Sequence, residues 1–107
     1  MSKIIKNYQD EIDEFFKREG WSYWSPLSQM ARLSEEVGEV ARILNDMHGD
    51  KPKKSIETKQ HLDEELADVI YTVLCLANSH DINMDDAMSS VFEKISIRDK
   101  GRFSKND

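Results

Sequence analysis

Residues 33–41 read LSEEVGEVA, and residues 63–70 read DEELADVI. In each stretch a group of acidic residues is set inside an apolar pattern with the three- and four-residue spacing of a helix. Strand-like alternation is missing from the chain, and only two prolines and four glycines occur in it. The two stretches therefore predict two helices, and the chain around them extends the prediction to an all-α fold.

Each of these helices is expected to carry a pair of carboxylates on one face. Glu36 and Glu39 are three residues apart, as are Glu65 and Asp68, and this spacing places side chains next to one another on a helix. Two such helices packed together bring four carboxylates to one place, which suits a divalent cation with oxygen ligands. The alternative is an ordinary solvated helix surface, the commoner origin of a single Glu-x-x-Glu.

Two observations favour a site over a solvated surface. Asp68 is followed by VIYTVLCLA at residues 69–77, so its helix is expected to be buried on most sides, where an unpaired carboxylate is costly. Glu35 and Glu39 are like charges four residues apart, which is mildly unfavourable unless a neighbouring arginine or a metal offsets them. Separately, Gly38 weakens a helix interior by roughly 1 kcal/mol, and close approach of another backbone is a reason to keep it.

Composition describes one helical domain, residues 1–107, in a reducing compartment. The chain is 34% charged and 38% hydrophobic, proportions typical of a folded protein. Its single cysteine, Cys75, lies in the apolar run and is expected to be an inert core thiol, which fits a cytoplasmic location. No leader-like segment and no run of 18 apolar residues occur, so we expect neither export nor a membrane span.

The net charge of −6 is concentrated in the two acidic stretches. Of 21 acids, seven lie there, which leaves 14 acids against 15 bases in the rest of the chain. The negative charge is thus local to a candidate site. It does not indicate an acidic tail or a uniformly acidic surface.

The first two predicted helices have recognisable ends. The first spans Lys3 to Glu19, where apolar residues recur three and four apart, and Gly20 ends it. The second begins with Pro26 at its first position, after Ser25 as the N-cap.

The other two helices follow a polar segment. The third starts between Ser55 and Gln60 and ends near His80. Asn83 is the N-cap of the fourth, with acids in the first turn. A polar C-terminal tail is predicted for residues 98–107, and the chain contains no internal repeat and no glycine-rich phosphate loop.

Two connections carry residue types that suit a nucleotide. Trp21, Tyr23 and Trp24 place three aromatic rings in one short loop, where they either stack on a base or plug the end of the helix bundle. The basic segment 48–54 contains three lysines that either reach a polyphosphate or form a solvated loop. The sequence leaves both alternatives open.

Taken in order, these motifs resemble the MazG-like nucleotide pyrophosphohydrolases of the all-α NTP pyrophosphatase superfamily, in their short single-domain form. Glu-Glu-x-x-Glu lies on the second helix and Glu-x-x-Asp on the third, with 25 residues between the motifs. The resemblance covers nearly the whole chain. It extends to residues 24–27, 49–54 and 76–78, to Lys94 and to residues 98–99.

The resemblance implies a four-helix MazG-like bundle, completed by homo-oligomerisation as a homodimer or homotetramer. It implies that four carboxylates bind Mg2+, with Mn2+ as a substitute; they are Glu36, Glu39, Glu65 and Asp68. Glu35 and Glu36 are the implied catalytic residues, Glu35 as a further ligand or as the group that orients the attacking water. A third helix that is apolar around most of its circumference supports the oligomer independently.

The reaction that the resemblance implies converts a (deoxy)nucleoside triphosphate to the monophosphate and pyrophosphate, a house-cleaning of the nucleotide pool. The chemistry of the residues agrees, because an anionic triphosphate approaches a carboxylate cluster only when metal ions bridge the two. The implied partners are the nucleotide and further copies of the chain, with no nucleic acid and no membrane.

Substrate contacts follow from the same resemblance. Basic side chains would neutralise the leaving pyrophosphate, and the candidates are Lys53, Lys54, Lys94 and Arg98. Asn78 is a candidate for hydrogen bonding to the substrate or to a metal ligand.

The aromatic loop of Trp21, Tyr23 and Trp24 resembles the one that lines the base pocket in the deoxycytidine-triphosphatase branch. That branch also has aromatic residues late in its second helix and on its Glu-x-x-Asp helix, where this chain has Asp46 and Thr72. The preferred base is therefore left open.

Two rival functions remain. A di-iron carboxylate bundle also gathers glutamates from several helices, but it uses Glu-x-x-His on two of them. None of the three histidines, His48, His61 and His80, lies three residues after a glutamate, which favours oxygen-only ligation. The non-enzymatic alternative is a helical interaction module whose acidic, metal-binding edge contacts a basic partner.

Overall fold

A computed structural model of the chain describes residues 4–50 and 61–101. These residues form four α-helices and no strand: α1, Ile5–Glu19; α2, Pro26–His48; α3, Leu62–Ser79; and α4, Met84–Asp99. The all-α, four-helix prediction is confirmed. The predicted start of the third helix lies outside the described residues.

Local chemistry sets the helix ends where the sequence placed them. Gly20 follows α1 with a left-handed φ of 72°, and its N–H donates to the Lys17 carbonyl oxygen at 3.2 Å. The Ser25 hydroxyl accepts from the Ser28 N–H, with Pro26 as the first residue of α2. Each device satisfies backbone groups that a helix end leaves unpaired.

The C-terminal end of α4 lies beyond the predicted boundary. We expected a polar tail from residue 98, but the helix continues to Asp99. The Arg98 guanidinium donates two hydrogen bonds of 3.0 Å to the Asp99 carboxylate. A cation in the last turn also suits the negative end of the helix dipole. Polar composition alone therefore did not mark the end of this helix.

The packing is uneven. Helices α2 and α3 form the main contact, while α1 packs against α3 and α4. The buried apolar core of the described residues is small and comes from α2 and α3; it consists of Ile43, Leu74, Cys75 and Ala77. Cys75 is free and buried, as expected.

A buried glutamine joins three helices. Gln9 of α1 is 1% exposed. Its Nε2 donates to Asn78 Oδ1 at 2.9 Å and to the Ile82 carbonyl oxygen at 2.7 Å, and its Oε1 accepts from the Met84 N–H at 2.9 Å. Both N–H groups of the Gln9 amide and its oxygen are hydrogen-bonded, which is the condition for burying an amide. The bonds fix α1 against the end of α3 and the start of α4.

The first turn of α1 is capped by a residue far away in the sequence. Ile4 stands at the N-cap position and has no polar side chain. The Asp85 carboxylate of α4 instead accepts from the Ile5 N–H at 3.1 Å and the Lys6 N–H at 2.9 Å. A carboxylate at a helix N-terminus also interacts favourably with the helix dipole.

Much apolar surface remains exposed. No residue of α4 is buried, and Leu66 and Ile70 of α3 are 47% and 58% exposed. Asp68, between them, is exposed as well. The expectation that the third helix is buried on most sides is therefore wrong for the single chain, because the described helices cover only one side of it. No helix within residues 4–50 and 61–101 has both the length and the apolar content to cross a bilayer.

Candidate active site

Three of the four predicted metal ligands converge. One carboxylate oxygen each from Glu36 of α2 and from Glu65 and Asp68 of α3 lie within 4.8 Å of one another. The spacing that put Glu65 and Asp68 on one helix face also turns them toward α2, because α2 and α3 are packed together. We call these three residues the carboxylate cluster.

The carboxylate cluster holds more negative charge than its cationic neighbours balance. Arg32 lies one turn before Glu36 and approaches its carboxylate at 3.5 Å. The pKa of Glu65 is raised above its usual value by partial loss of solvation, and then by the nearby charges of Asp68, Glu39 and Glu36. Like charges at short range make each ionisation more costly. An added cation would relieve this repulsion.

Glu39 and Glu35 lie outside the carboxylate cluster. The Glu39 carboxylate is paired with Arg42 at 3.1 Å, and the same guanidinium donates to the buried Asp46 at 3.3 Å. Glu39 is near enough to raise the pKa of Glu65 through its charge. Glu35 is exposed and is not one of the three converging carboxylates.

The donor set of the carboxylate cluster fits a hard divalent cation. Carboxylate oxygens are the ligands that Mg2+ and Mn2+ prefer, and no histidine or cysteine belongs to the group. Opposite ligands of Mg2+ lie about 4.2 Å apart in octahedral coordination. The observed separations are close enough for small side-chain rotations to bring all three onto one ion.

An aromatic cavity of about 190 Å³ adjoins the carboxylate cluster. Its walls come from the end of α1, the connection to α2, and facing turns of α2 and α3. The lining residues are Phe16, Trp21, Ser22, Tyr23, Trp24, Gln29, Arg32, Tyr71, Thr72 and Cys75. All three aromatic residues of the connection thus line the cavity.

The aromatic wall is held by packing and hydrogen bonds. The Tyr23 ring stacks on Phe16 with 4.5 Å between centroids, and its hydroxyl donates to the Asp13 carboxylate. Asn78 donates to the same hydroxyl at 2.9 Å. Burial, and then the bond to Asp13, raises the pKa of Tyr23 well above its usual value. The phenol therefore stays neutral, and its ring is fixed before any ligand arrives.

Arg32 connects the cavity to the carboxylate cluster. Its guanidinium lies over the Trp24 ring, 5.6 Å from the centroid, and approaches Glu36 at 3.5 Å. On α3, the Thr72 hydroxyl in the cavity wall donates to the Asp68 carbonyl oxygen at 2.8 Å. The two features are therefore neighbouring parts of one site between α2 and α3.

On α2 and α3, sequence reasoning missed four residues of this wall, which are Gln29, Arg32, Tyr71 and Cys75. The sequence feature that could have identified them is their helical spacing from the acidic residues of the carboxylate cluster. Positions 29, 32 and 36 share one face of α2, and positions 68, 71, 72 and 75 share one face of α3.

The remaining predicted contacts are not brought to this site. Both Nδ2 hydrogens of Asn78 are used, toward the Gln9 carbonyl oxygen and the Tyr23 hydroxyl, so Asn78 supports the wall and does not line the cavity. Lys94 and Arg98 lie on α4, which packs against α1 and supplies no residue of the cavity. Lys53 and Lys54 fall outside the described residues.

Known proteins resemble this chain over most of its length. Residues 24–103 match the family model described as the MazG nucleotide pyrophosphohydrolase domain. Two uncharacterised proteins of Bacillus subtilis (strain 168) are relatives. YpjD is 42% identical over 105 residues, covering 98% of this chain and 95% of its own, and YvdC is 33% identical over 93 residues, covering 81% and 88%.

Two crystal structures are similar to the fold. One is of YPJD from Bacillus subtilis, described as a candidate pyrophosphatase; it has a TM-score of 0.80 at 42% identity and covers 88% of this chain and 96% of its own. The other is a Bacillus-conserved MazG protein, described as a nucleotide pyrophosphohydrolase. Its TM-score is 0.75 at 38% identity, with 94% of this chain and 97% of its own covered.

Proposed function

The chain belongs to the MazG nucleotide pyrophosphohydrolase family, and from this premise we propose that it hydrolyses nucleoside triphosphates, with Mg2+ held by the carboxylate cluster. Water adds to the α-phosphorus, the bond from that phosphorus to the α,β-bridging oxygen breaks, and the products are a nucleoside monophosphate and pyrophosphate. The observation that carries the proposal is the position of three convergent carboxylates beside an aromatic cavity.

Each part of the site has a role in this reaction. Glu36, Glu65 and Asp68 would hold the ion, and Glu39 would join them once it releases Arg42. Mg2+ held by these residues would supply the positive charge that polarises the α-phosphorus and lowers the pKa of a bound water. Mn2+ has the same ligand preference and would substitute. Glu35 is proposed to orient the attacking water.

Cations of the chain would stabilise the charge that develops on the phosphates. Arg32 is the best placed, because it lies between the cavity and the carboxylate cluster. If Glu36 were taken up as a metal ligand, the Arg32 guanidinium would be available to the nucleotide. Lys53, Lys54, Lys94 and Arg98 remain proposed contacts of the leaving pyrophosphate.

The cavity is proposed to hold the base. Aromatic faces stack on any base, and a nucleoside stacked there would have its phosphates near an ion held by the carboxylate cluster. Along α2, Gln29 in the cavity and Glu36 in the cluster are separated by an axial rise of about 10 Å. That is the scale on which a nucleotide separates its base from its phosphates.

A second copy of the chain is proposed to cover the open side of the α2 and α3 pair. Leu66 and Ile70 are about half exposed there, and a methyl group placed at Gly38 of α2 would meet nothing within 4 Å. An apolar helix face of this kind is normally covered in a folded assembly. Light scattering should give a homodimer or homotetramer at micromolar concentration. A monomer of 12.5 kDa would exclude the proposed oligomer.

Product analysis tests the reaction. We expect incubation of the purified chain with a panel of (deoxy)nucleoside triphosphates and Mg2+ to give monophosphate and pyrophosphate, and a chelator to abolish turnover. A diphosphate with orthophosphate would exclude the assignment. Absence of turnover with every nucleotide would favour the interaction module. Nucleotide-pool house-cleaning in the cytoplasm is the role that this reaction would serve.

A further inference from the structure

Gln29, in the wall of the cavity, has an acceptor that the chain does not use. The residue is 4% exposed. Its Nε2 donates to the Trp24 carbonyl oxygen at 2.8 Å and to the Ser79 hydroxyl at 3.0 Å. Its Oε1 is the one buried side-chain oxygen or nitrogen in residues 4–50 and 61–101 that lacks a hydrogen-bond partner.

The partners of Gln29 fix which end of the amide is free. The Trp24 carbonyl oxygen only accepts, so the end of the Gln29 amide that faces it at 2.8 Å is the NH2 group, and the Ser79 hydroxyl oxygen accepts from the same group. Turning the amide over would set its oxygen against the Trp24 carbonyl oxygen. Gln29 Oε1 is therefore the end of the amide that has no hydrogen-bond donor.

A ligand in the cavity is the natural source of that donor, because Gln29 lines the cavity together with the aromatic rings. A stacked base presents polar atoms at its edge. An exocyclic amino group donates through N–H, whereas a keto oxygen at the same place would oppose one acceptor with another. Sites with a buried, otherwise unpaired polar group discriminate strongly between such ligands.

We propose that Gln29 makes this site selective for bases that carry an exocyclic amino group, with Gln29 Oε1 accepting a hydrogen bond from it. The proposal rests on the proposed function only in taking the cavity as the site of the base. It names cytosine over uracil and adenine over hypoxanthine, since each pair differs by one amino group exchanged for a keto group. It also makes Gln29 a specificity-determining residue.

The direct test compares matched substrates. For dCTP against dUTP and for dATP against dITP, the amino-bearing member should have a kcat/KM at least about tenfold higher. dCTP that is dimethylated on its exocyclic nitrogen, which has no N–H to donate, should lose the advantage. Equal kcat/KM within both pairs would overturn the inference, as would undiminished turnover of the dimethylated substrate.

Two variants locate the effect. Gln29→Met keeps the length of the side chain but removes the acceptor, so the preference within each pair should fall to less than about threefold. Ser79→Ala removes one partner of Gln29 Nε2 and leaves Oε1 untouched, so its preference should match the parent. Circular dichroism of both variants is the control for folding. A Gln29→Met protein that is folded and keeps the full preference would overturn the inference.

A binding measurement separates this inference from the proposed reaction. Calorimetry with dCMP, dUMP, dAMP and dIMP needs no turnover, and the amino-bearing monophosphates should bind the parent protein at least about tenfold more tightly. If no triphosphate is hydrolysed but this preference is seen, the reaction is wrong and the role of Gln29 stands. If hydrolysis occurs without any preference in binding or rate, the reaction stands and the role of Gln29 is wrong.

Discussion

The two neighbouring parts of the site are built on opposite principles. In the aromatic cavity the chain satisfies nearly all of its own polar groups, as the bonds from Tyr23 to Asp13 and from Asn78 to Tyr23 illustrate. In the carboxylate cluster three acids converge, and Arg32 approaches only Glu36, at 3.5 Å. Apart from Gln29 Oε1, the cavity is held by bonds within the folded chain, whereas the carboxylate cluster keeps a negative charge that a cation would balance.

This difference teaches where folding and function conflict. The stacked and hydrogen-bonded cavity contributes to stability, so changes there affect binding and folding together. The carboxylate cluster opposes folding when it is fully ionised, as the raised pKa of Glu65 indicates. Loss of a cluster carboxylate should therefore abolish catalysis without destabilising the protein. The following experiments either sharpen this contrast or break it.

The largest effect is expected from Asp68→Asn, which removes ligand charge and leaves the volume unchanged. Its kcat should fall by about a thousandfold or more, because a metal ion held by this carboxylate would lower the barrier by several kcal/mol. Helical circular dichroism should be unchanged, since Asp68 is exposed and Thr72 bonds to its backbone oxygen. The matched control is Glu64→Gln on the same helix, an exposed acid paired with His61. Near-parental rates in Asp68→Asn would show that the carboxylate cluster does not hold the catalytic metal.

The second effect is on stability. Mg2+ at a hundredfold excess over its dissociation constant should stabilise the parent by about 2.7 kcal/mol. Glu65→Gln should lose most of that gain. In chelator, however, the variant should be at least as stable as the parent at neutral pH, because the fold disfavours the ionised Glu65.

The size of the Glu65 effect on stability depends on pH. The folded pKa of Glu65 is raised above its unfolded value, so stability is lost as the pH rises from the unfolded pKa to the folded pKa; the cost is complete above the folded pKa and vanishes below the unfolded pKa. The stability difference between metal-free Glu65→Gln and the parent should therefore shrink as the pH falls through the pKa of Glu65. Thermal melts of both proteins in chelator, at several pH values, measure it. A less stable Glu65→Gln without metal would show that the carboxylate is structural.

A smaller effect is expected from the cavity. Trp24 is 58% exposed and lines the cavity, so Trp24→Ala should fold. Loss of a stacking face should raise KM about tenfold, with kcat within about threefold of the parent. The Mg2+ response of the melting temperature should remain. Phe92→Leu, at an exposed aromatic residue outside the cavity, serves as the control. An equal loss of kcat in Trp24→Ala would break the separation between base binding and metal chemistry.

The smallest effect concerns alkaline stability. Burial, and then the hydrogen bond to Cys75, raises the pKa of Tyr71 in the cavity wall to about 12. The unfolded chain ionises tyrosine near pH 10, so the unfolded state loses this proton first and stability falls as the pH rises from about 10 to about 12. Tyr71→Phe should show a shallower decline in urea unfolding over that range. Parallel curves for the two proteins would exclude the contribution of Tyr71.

The sequence predicted what depends on neighbouring residues along the chain. Gly20, Ser25 and Asn83 act at the helix ends as expected, because caps are made by groups within a few residues of the terminus. The three carboxylates of the cluster were predicted for the same reason, since spacing along a helix determines which side chains share a face.

The sequence could not predict what depends on tertiary packing. Gln29 and Arg32 look like ordinary polar residues of an amphipathic helix, and only the packing of α2 on α3 makes them a cavity wall. Asp68 was expected to be buried because its surroundings are apolar, yet it is exposed in the single chain. An apolar pattern identifies the surfaces that avoid water but not the element that covers them.

The cap that Asp85 supplies determines when the first turn of α1 can be completed during synthesis of the chain. The ribosome releases Ile5 and Lys6 early, but the carboxylate that accepts their N–H groups is made 80 and 79 residues later. Until then the start of α1 has only the local cap from Asn7, whose Oδ1 accepts from the Ile4 N–H, and the contacts of Gln9 with Ile82 and Met84 are also missing. Such distant contacts form late because closing a long loop is entropically costly. The emerging chain therefore completes its N-terminal helix only when α4 is being made, and a nascent chain that stops before residue 85 should leave α1 open to proteases.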